Sequence, residues 1–229
     1  MSDKALEWKT AHEELKKAVR RRGGWETALP LALELHAETH FAEMSGASVP
    51  TWADEAWEGL EGPLFAAAAG SKGATAAWNL WHIARIEDLI ANLLIAESTQ
   101  VLYGEWMERI GASVTDTGNA MSRAEIAEFS RKIRPDELKN YDNAVGRRTR
   151  EVLQSLDPAE ISRKPRPEAL ERIMTEGGLT EQEGSFWLKD FWGGKTVGGL
   201  VLLPLTRHRP MHLKDCFRLK EKLLKTGNS

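Results

Sequence analysis

The chain has 229 residues, of which 31 are Lys or Arg and 34 are Asp or Glu, giving a formal net charge of −3 with neutral histidine. This near balance disfavours a nucleic-acid partner, no run approaches the roughly 20 apolar residues of a membrane-spanning helix, and the single cysteine excludes an internal disulfide. We therefore expect a cytoplasmic protein with no nucleic-acid or membrane partner, folded as a single domain over residues 1–229 without the aid of a structural metal.

Two helices are predicted before residue 45. Residues 3–22 place apolar side chains at helical spacing and end at a Gly-Gly pair, which predicts an N-terminal helix within residues 1–24. Residues 27–44 repeat the pattern, with Pro30 in the first turn, where proline is tolerated. The bundle proper is therefore expected to occupy residues 25–229.

The strongest helical pattern follows a glycine-rich loop predicted over residues 45–73. Residues 74–96 form one broad apolar stripe, and His82 lies inside it. Ser122 and Glu125 then have the spacing of a capping box, which marks the start of another helix. The later helices are predicted at residues 122–134, 136–156, 168–176 and 180–191, followed by a last helix that runs into the C-terminus.

The chain contains no alternating strand pattern of useful length. Periodicity leaves only the short apolar run of residues 200–205 open between strand and helix. The fold class is therefore predicted to be all-α. Several long amphipathic helices joined by substantial connections favour a four-helix bundle with extra short helices and long connections.

Five of the six histidines fall on predicted core-facing positions or in pairs four residues apart. The pairs are His36/His40 and His208/His212, and this spacing puts two imidazoles one turn apart on the same helical face. One pair and a histidine from a neighbouring helix make an open three-ligand metal site, which suits zinc, nickel, iron or copper. His82, His208 and His212 meet that description. Taken alone, His82 is more simply a core histidine and each pair is open to chance spacing, so the combination carries the prediction.

Two segments resemble the signature helices of the DinB-like (YfiT-type) superfamily of four-helix bundle metalloproteins. They are residues 77–88, AWNLWHIARIED, and residues 206–213, TRHRPMHL. The resemblance extends from about residue 27 to the C-terminus and implies that His82, His208 and His212 hold a divalent metal. It also implies transfer or isomerisation reactions that use a low-molecular-weight thiol, such as bacillithiol or mycothiol, activated by the metal.

Two features complicate this interpretation. Pro210 lies between the paired histidines, where it removes the helical hydrogen bond to the Thr206 carbonyl. Either the last helix starts near His208, with Pro210 in its first turn, or a bulge absorbs the proline, and both keep the imidazoles adjacent. The family pattern does not require the earlier pair, His36 and His40, which is expected to line the pocket or merely to pack.

Aromatic residues and the cysteine supply further candidates for the pocket. Trp78 and Trp81 flank His82 and are expected to shape it. Cys216 lies four residues beyond His212 on the same face, and it is either a ligand, a reactive thiol or, more simply, a small buried hydrophobe. A histidine that binds a metal usually donates its other ring N–H to an acceptor, and the candidates for these acceptors are Glu38, Glu87, Asp88 and Asp215.

Two functions remain open from the sequence. In the first, a divalent transition metal, zinc or nickel, activates water or a thiol near neutral pH, so the protein is a metal-dependent hydrolase or thiol transferase with a small-molecule substrate. No catalytic base can be assigned for it. In the second, the histidines are core groups of a non-catalytic bundle that binds a ligand or associates with itself. A homodimer is expected.

Overall fold

The computed structural model describes residues 2–68 and 73–227, and all regular structure in this part of the chain is helical, which confirms the all-α prediction. No helix in these two ranges is both long enough and apolar enough to cross a bilayer. The α-helices are α1 (Ser2–Arg20), α2 (Trp25–Thr39), α3 (Ala42–Ser45), α4 (Trp52–Trp57), α5 (Ala76–Asp88), α6 (Trp106–Ile110), α7 (Arg123–Lys132), α8 (Pro135–Ser155), α9 (Pro167–Thr175), α10 (Glu183–Gly193), α11 (Val197–Leu200) and α12 (His208–Gly227). Short 3-10 turns lie at Gly62–Leu64 and Pro158–Ser162, and π-helical turns lie at Leu89–Ile95 and Val201–Arg207.

The predicted helices are confirmed with shifted ends, and three regions differ. The helix predicted over residues 27–44 breaks into α2 and α3, because the backbone at His40 is extended, with φ −98° and ψ 167°. The loop predicted over residues 45–73 contains α4, which starts with a capping box between Thr51 and Asp54. Its residues 69–72 lie outside the described part of the chain. The ambiguous segment 200–205 is helical.

Helix α5 and its π-helical extension form the centre of the molecule. Every residue from 76 to 95 except Trp78 is buried, as expected for a helix that is covered on all sides. α5 packs against α8 and α12, while α1 packs against α2. His82 lies on this central helix, so its backbone is held by the best-buried part of the fold.

The carboxylate of Asp88, at the end of α5, accepts five hydrogen bonds. Three come from the side chains of Arg85, Asn92 and Tyr141, at 2.7–2.9 Å. Two more come from the backbone amides of residues 101–102, at 2.7 and 2.9 Å. Asp88 and Arg85 are both fully buried, so each compensates the other's charge. This cluster joins α5 to α8 and to the chain that follows the π-helical turns.

The last helix combines both arrangements that the sequence left open for Pro210. α12 begins at His208, so Pro210 lies in its first turn. It also follows the Val201–Arg207 π-helical turns without a break, and the His208 amide donates to the Leu203 carbonyl five residues earlier. The wider turns also contain Pro204, which has no amide hydrogen to donate.

We expect Asp88→Asn to lower the free energy of unfolding by about 3–5 kcal/mol, because it leaves the buried Arg85 guanidinium without its counter-charge. Urea denaturation followed by circular dichroism measures the change. Asp190→Asn, at an exposed position of α10, serves as the control and should change stability by less than about 0.5 kcal/mol. A loss below about 1 kcal/mol for Asp88→Asn would contradict the central role of this carboxylate.

Candidate metal centre

One face of α5 donates four side-chain hydrogen bonds to consecutive backbone carbonyls in the loop between α6 and α7. The acceptors are the carbonyls of residues 115–118, at 2.8–3.1 Å from the donor nitrogens. The donors are spaced i, i+3, i+4 and i+7, so they lie on the same helical face. These donors are Trp78, Trp81, His82 and Arg85. The loop and the helix face therefore fix each other's position.

His82 is oriented by this contact. Its Nδ1–H donates to the Thr117 carbonyl at 2.8 Å, and because a carbonyl only accepts, the Nε2 atom carries the lone pair. Trp78 stacks on the imidazole with 4.8 Å between ring centroids and 10° between the planes. Gly118 permits this stacking, since its φ is +72° and a Cβ there would lie 2.8 Å from the Trp78 Nε1 atom.

His212 is oriented by Asn79, which lies one turn before His82 on α5. The Asn79 Nδ2 group donates to the Thr75 carbonyl at 2.8 Å, so its Oδ1 atom faces His212. His212 donates its Nδ1–H to that oxygen, also at 2.8 Å, which leaves its Nε2 lone pair available. Both histidines thus have the acceptor on the second ring nitrogen that metal-ligating histidines normally have.

The structure brings His82, His208 and His212 together. Their ring centroids are 5.1 Å apart for His82 and His208, and 4.6 Å apart for the other two pairs. One nitrogen from each ring lies within 4.8 Å of the other two, so the three imidazoles can share one ion. The donor set fits a divalent transition metal, because three nitrogen ligands leave a fourth position open in a tetrahedral site.

The three imidazoles are held in the neutral form that metal binding requires. Burial lowers the pKa of His82 to about 4. Burial and the neighbouring His82 lower the pKa of His212 to about 3. Burial, with the charges of His82 and His212, also lowers the pKa of His208 well below its ordinary value. At neutral pH the site therefore presents lone pairs rather than protons.

A cleft of about 370 Å³ opens beside the three imidazoles. This volume lies near the lower end of the range for small-molecule sites, about 300–1,000 Å³. α10 supplies one wall, and the π-helical turns before α12 supply another. The large apolar side chains that line the cleft include Trp78, Trp187, Phe191, Trp192 and Met211.

The other predicted pocket residues do not line this cleft, with the exception of Trp78. Trp81 is fully buried and contacts Phe129 and Tyr141 instead. Cys216 is buried and is not among the described residues that line the cleft. Burial, together with the charge of Asp215, raises the pKa of its thiol to about 12. It is a neutral core thiol, in line with the simplest of the three interpretations of this cysteine.

His36 and His40 belong to a second cluster, which is completely buried. The Nε2 atoms of both face the Glu87 carboxylate, at 2.8 Å for His36 and 2.9 Å for His40. The Nη2 atom of Arg209 lies 3.2 Å from the same carboxylate. Arg209 also pairs with Asp142, and its Nη1 atom lies 3.1 Å from the Asp142 Oδ2 atom. Like the first group, this one has ligand atoms close enough to hold an ion.

Hydrogen bonding and charge favour an ionic network over a metal at this second cluster. The Nδ1 atom of His40 faces the His36 carbonyl at 2.7 Å and its Nε2 atom faces the Glu87 carboxylate at 2.9 Å, so both ring nitrogens of His40 already face oxygen acceptors. Burial raises the pKa of Glu87, but the charges of His40, His36 and Arg209 hold it well below its ordinary range. The Arg209 guanidinium contacts both buried carboxylates, Glu87 and Asp142, so a dication added here would lie beside an existing positive charge.

The groups that accept hydrogen bonds from the Nδ1–H of His82 and His212 are not the carboxylates that the sequence indicated. Glu87 and Asp88 serve the two buried networks, Asp215 pairs with Arg218 at 3.0 Å, and Glu38 is absent from the ligands' hydrogen bonds. The actual acceptors are a loop carbonyl and the Asn79 amide. Asn79 could have been found, because it precedes His82 by three residues and so lies on the same face. No sequence signal marks the carbonyl.

Comparison with known proteins adds no name to this site. No protein-family model matches the chain, and no curated protein matches it. The site is therefore assessed from its own geometry.

We expect Asn79→Leu to weaken zinc affinity by about 10–100-fold, because His212 loses the acceptor that orients its ring. Competition with a chromophoric chelator measures the dissociation constant. Asn140→Leu, an exposed position of α8, is the control and should leave the affinity unchanged. Equal zinc affinity in wild type and Asn79→Leu would show that Asn79 does not orient the ligand.

We expect Glu87→Gln to lower the free energy of unfolding by about 3–5 kcal/mol, since it leaves the buried Arg209 and the histidine cluster short of a negative charge. Its zinc content should equal that of the wild type. Glu128→Gln removes an exposed pair with Lys132 and should leave the free energy of unfolding nearly unchanged. A zinc content lower by one equivalent in Glu87→Gln would instead identify the second cluster as a metal site.

Proposed function

We propose that this chain is a DinB-like metalloprotein in which His82, His208 and His212 bind a divalent transition metal, zinc or nickel, and that it acts on a small-molecule substrate. The convergence of these three imidazoles beside an open cleft carries the proposal. The preset orientation of two rings adds to it, because a histidine that merely fills a core does not need its second nitrogen turned away from its neighbours.

The packing of the long helices supports the four-helix bundle expected from the resemblance. α2 contacts α8, α8 contacts α5, α5 contacts α12, and α12 returns to α2. Such a closed ring is the arrangement of a four-helix bundle, and ligands in bundles come from facing helices. We assign α5 as the helix with the single histidine and α12 as the helix with the pair. α1 and the short helices are additions around this ring.

The chemistry we propose is transfer of a thiol, in which its sulfur forms a bond to an electrophilic carbon of the substrate as the bond to a leaving group breaks, and the thiol proton passes to that leaving group. When bound, a divalent ion would act as a Lewis acid that lowers the pKa of a nucleophile in the open position. The chain's own residues hold the ligand rings in place and shield one side of the site with the Trp78 indole. Among the described residues, no carboxylate lines the cleft. Thiol transfer therefore fits better than hydrolysis, which commonly uses a general base to activate water.

The alternative is a non-catalytic bundle that associates with itself. Exposed apolar side chains favour it: Phe186 and Trp187 on α10 are 41% and 49% exposed, and Met211 on α12 is 45% exposed. A second copy of the chain could cover such a surface and produce the expected homodimer. In that case the buried histidines stabilise the bundle and no metal is needed.

Metal content separates these functions. Protein purified without a polyhistidine tag should carry close to one zinc or nickel ion per chain by elemental analysis, and His82→Ala should lose it. His12→Asn is the control and should keep the ion, because His12 bonds to the Leu202 carbonyl outside the three-histidine group. A thiol-transferase screen with and without chelator then tests the reaction. Metal-free protein whose His82→Ala variant changes only stability would support the alternative.

A further inference from the structure

The described residues that line the cleft beside the three imidazoles carry no charged side chain. They include four aromatic residues and several aliphatic ones, and none of these described residues is Lys, Arg, Asp or Glu. Apart from the imidazoles and the indole N–H groups, its polar side chain is that of Asn119. A ligand that fills this cleft therefore transfers most of its surface from water to an apolar environment.

Two cations close to the cleft, Arg209 and Lys195, are not among its described lining residues. Arg209 follows His208 in the sequence, but it is buried and its guanidinium faces Asp142 and Glu87. Lys195 lies over the ring of Phe191, with its Nζ atom 4.2 Å from the ring centroid. A carboxylate carried into the cleft by a ligand would lose its water, and none of the described lining residues is a cation that could pair with it.

Apolar side chains at the mouth of the cleft are exposed to water. Trp187 is 49% exposed and Met211 is 45% exposed. The Trp187 indole is fixed by a hydrogen bond from its Nε1–H to the Gly184 carbonyl at 3.1 Å, and its ring lies 5.5 Å from that of Phe191. An apolar ligand body would cover this prepositioned surface without first having to order it.

The ligand must also supply the anionic group that the site lacks. Three neutral imidazoles leave the charge of a bound dication uncompensated, and none of the described lining residues has a carboxylate that would offset it. One deprotonated donor of the ligand at the open position would offset one of the two charges, and a thiolate suits zinc or nickel. This step rests on the function proposed above.

We propose that the cleft selects a small thiol whose body is uncharged and aromatic or branched aliphatic, with the thiol as its single ionisable group. Thiols whose bodies carry carboxylates or amines are excluded by the apolar walls. Trp187 is the residue that contributes most to this selection, because it is the larger of the two lining side chains that are about half exposed in the free protein and its indole is fixed by the hydrogen bond to the Gly184 carbonyl.

Two thiols with the same ring test this selection. Phenylmethanethiol and 4-(sulfanylmethyl)benzoate differ by one carboxylate, and isothermal titration calorimetry measures their dissociation constants with zinc-loaded and with metal-stripped protein. We expect phenylmethanethiol to bind at least about tenfold more tightly than the benzoate to both forms of the protein. The apolar walls remove water from the benzoate carboxylate whether or not the ion is present. Equal affinity, or tighter binding of the benzoate, would overturn the proposal.

A pair of neighbouring variants on α10 tests the role of Trp187. Trp187→Ala should weaken phenylmethanethiol binding by about tenfold, since it removes an aromatic wall. Phe186→Ala is matched to it in exposure and helix position but lies outside the lining, so it should leave the affinity unchanged. Equal effects of the two variants would refute the assignment.

The same samples distinguish failure of this inference from failure of the proposed function. If the protein binds one zinc ion but prefers the benzoate, the metal site stands and the selection is wrong. If it binds no zinc but the metal-stripped form still prefers phenylmethanethiol, the cleft assignment stands and the metal-dependent function is wrong.

Discussion

The candidate site depends on the row of hydrogen bonds between one face of α5 and the loop carbonyls of residues 115–118. Each carbonyl is already an obligatory acceptor that burial would penalise if it were left unpaired. The fold thus satisfies four acceptors with side chains of the same helix face, and one of those side chains is His82. The hydrogen bond from the His82 Nδ1–H to the Thr117 carbonyl both satisfies the loop and leaves the Nε2 atom of His82 free to face the other two imidazoles. The geometry of the site and the stability of the loop are therefore coupled.

The second half of the site depends on an irregular helix. The π-helical turns at Val201–Arg207 take one more residue per hydrogen-bonded ring than an α-helix, which shifts the faces of all residues after them. Pro204 and Pro210 both lack the amide hydrogen that a regular helix would use at their positions. The irregular turns contain Pro204 and lead directly into α12, whose first turn contains Pro210 and which presents His208 and His212 toward α5. Such turns occur often at functional sites, and here one directly precedes the paired ligands.

The sequence predicted the long helices, the capping box at Ser122 and the adjacency of His208 and His212 from local spacing, whereas the meeting of His82 with that pair was expected from bundle packing and from the family resemblance. It could not predict features set by tertiary packing. The break at His40 follows from an extended backbone within a segment whose apolar period continues. Likewise, Glu87 lies within the 77–88 motif of α5 and was a candidate acceptor for His82, yet the helix turns its carboxylate to the other histidine cluster.

The two histidine pairs show why spacing alone does not define a metal site. His36/His40 and His208/His212 have the same four-residue separation, but their surroundings differ. The first pair shares the Glu87 carboxylate with a guanidinium cation, so its Nε2 atoms already have a partner and a dication would meet the charge of Arg209. The second pair faces a cleft whose lining, among the described residues, holds no charged side chain. The groups that face the paired imidazoles therefore distinguish the two pairs, and α5 separates the two environments by placing His82 and Glu87 on different faces.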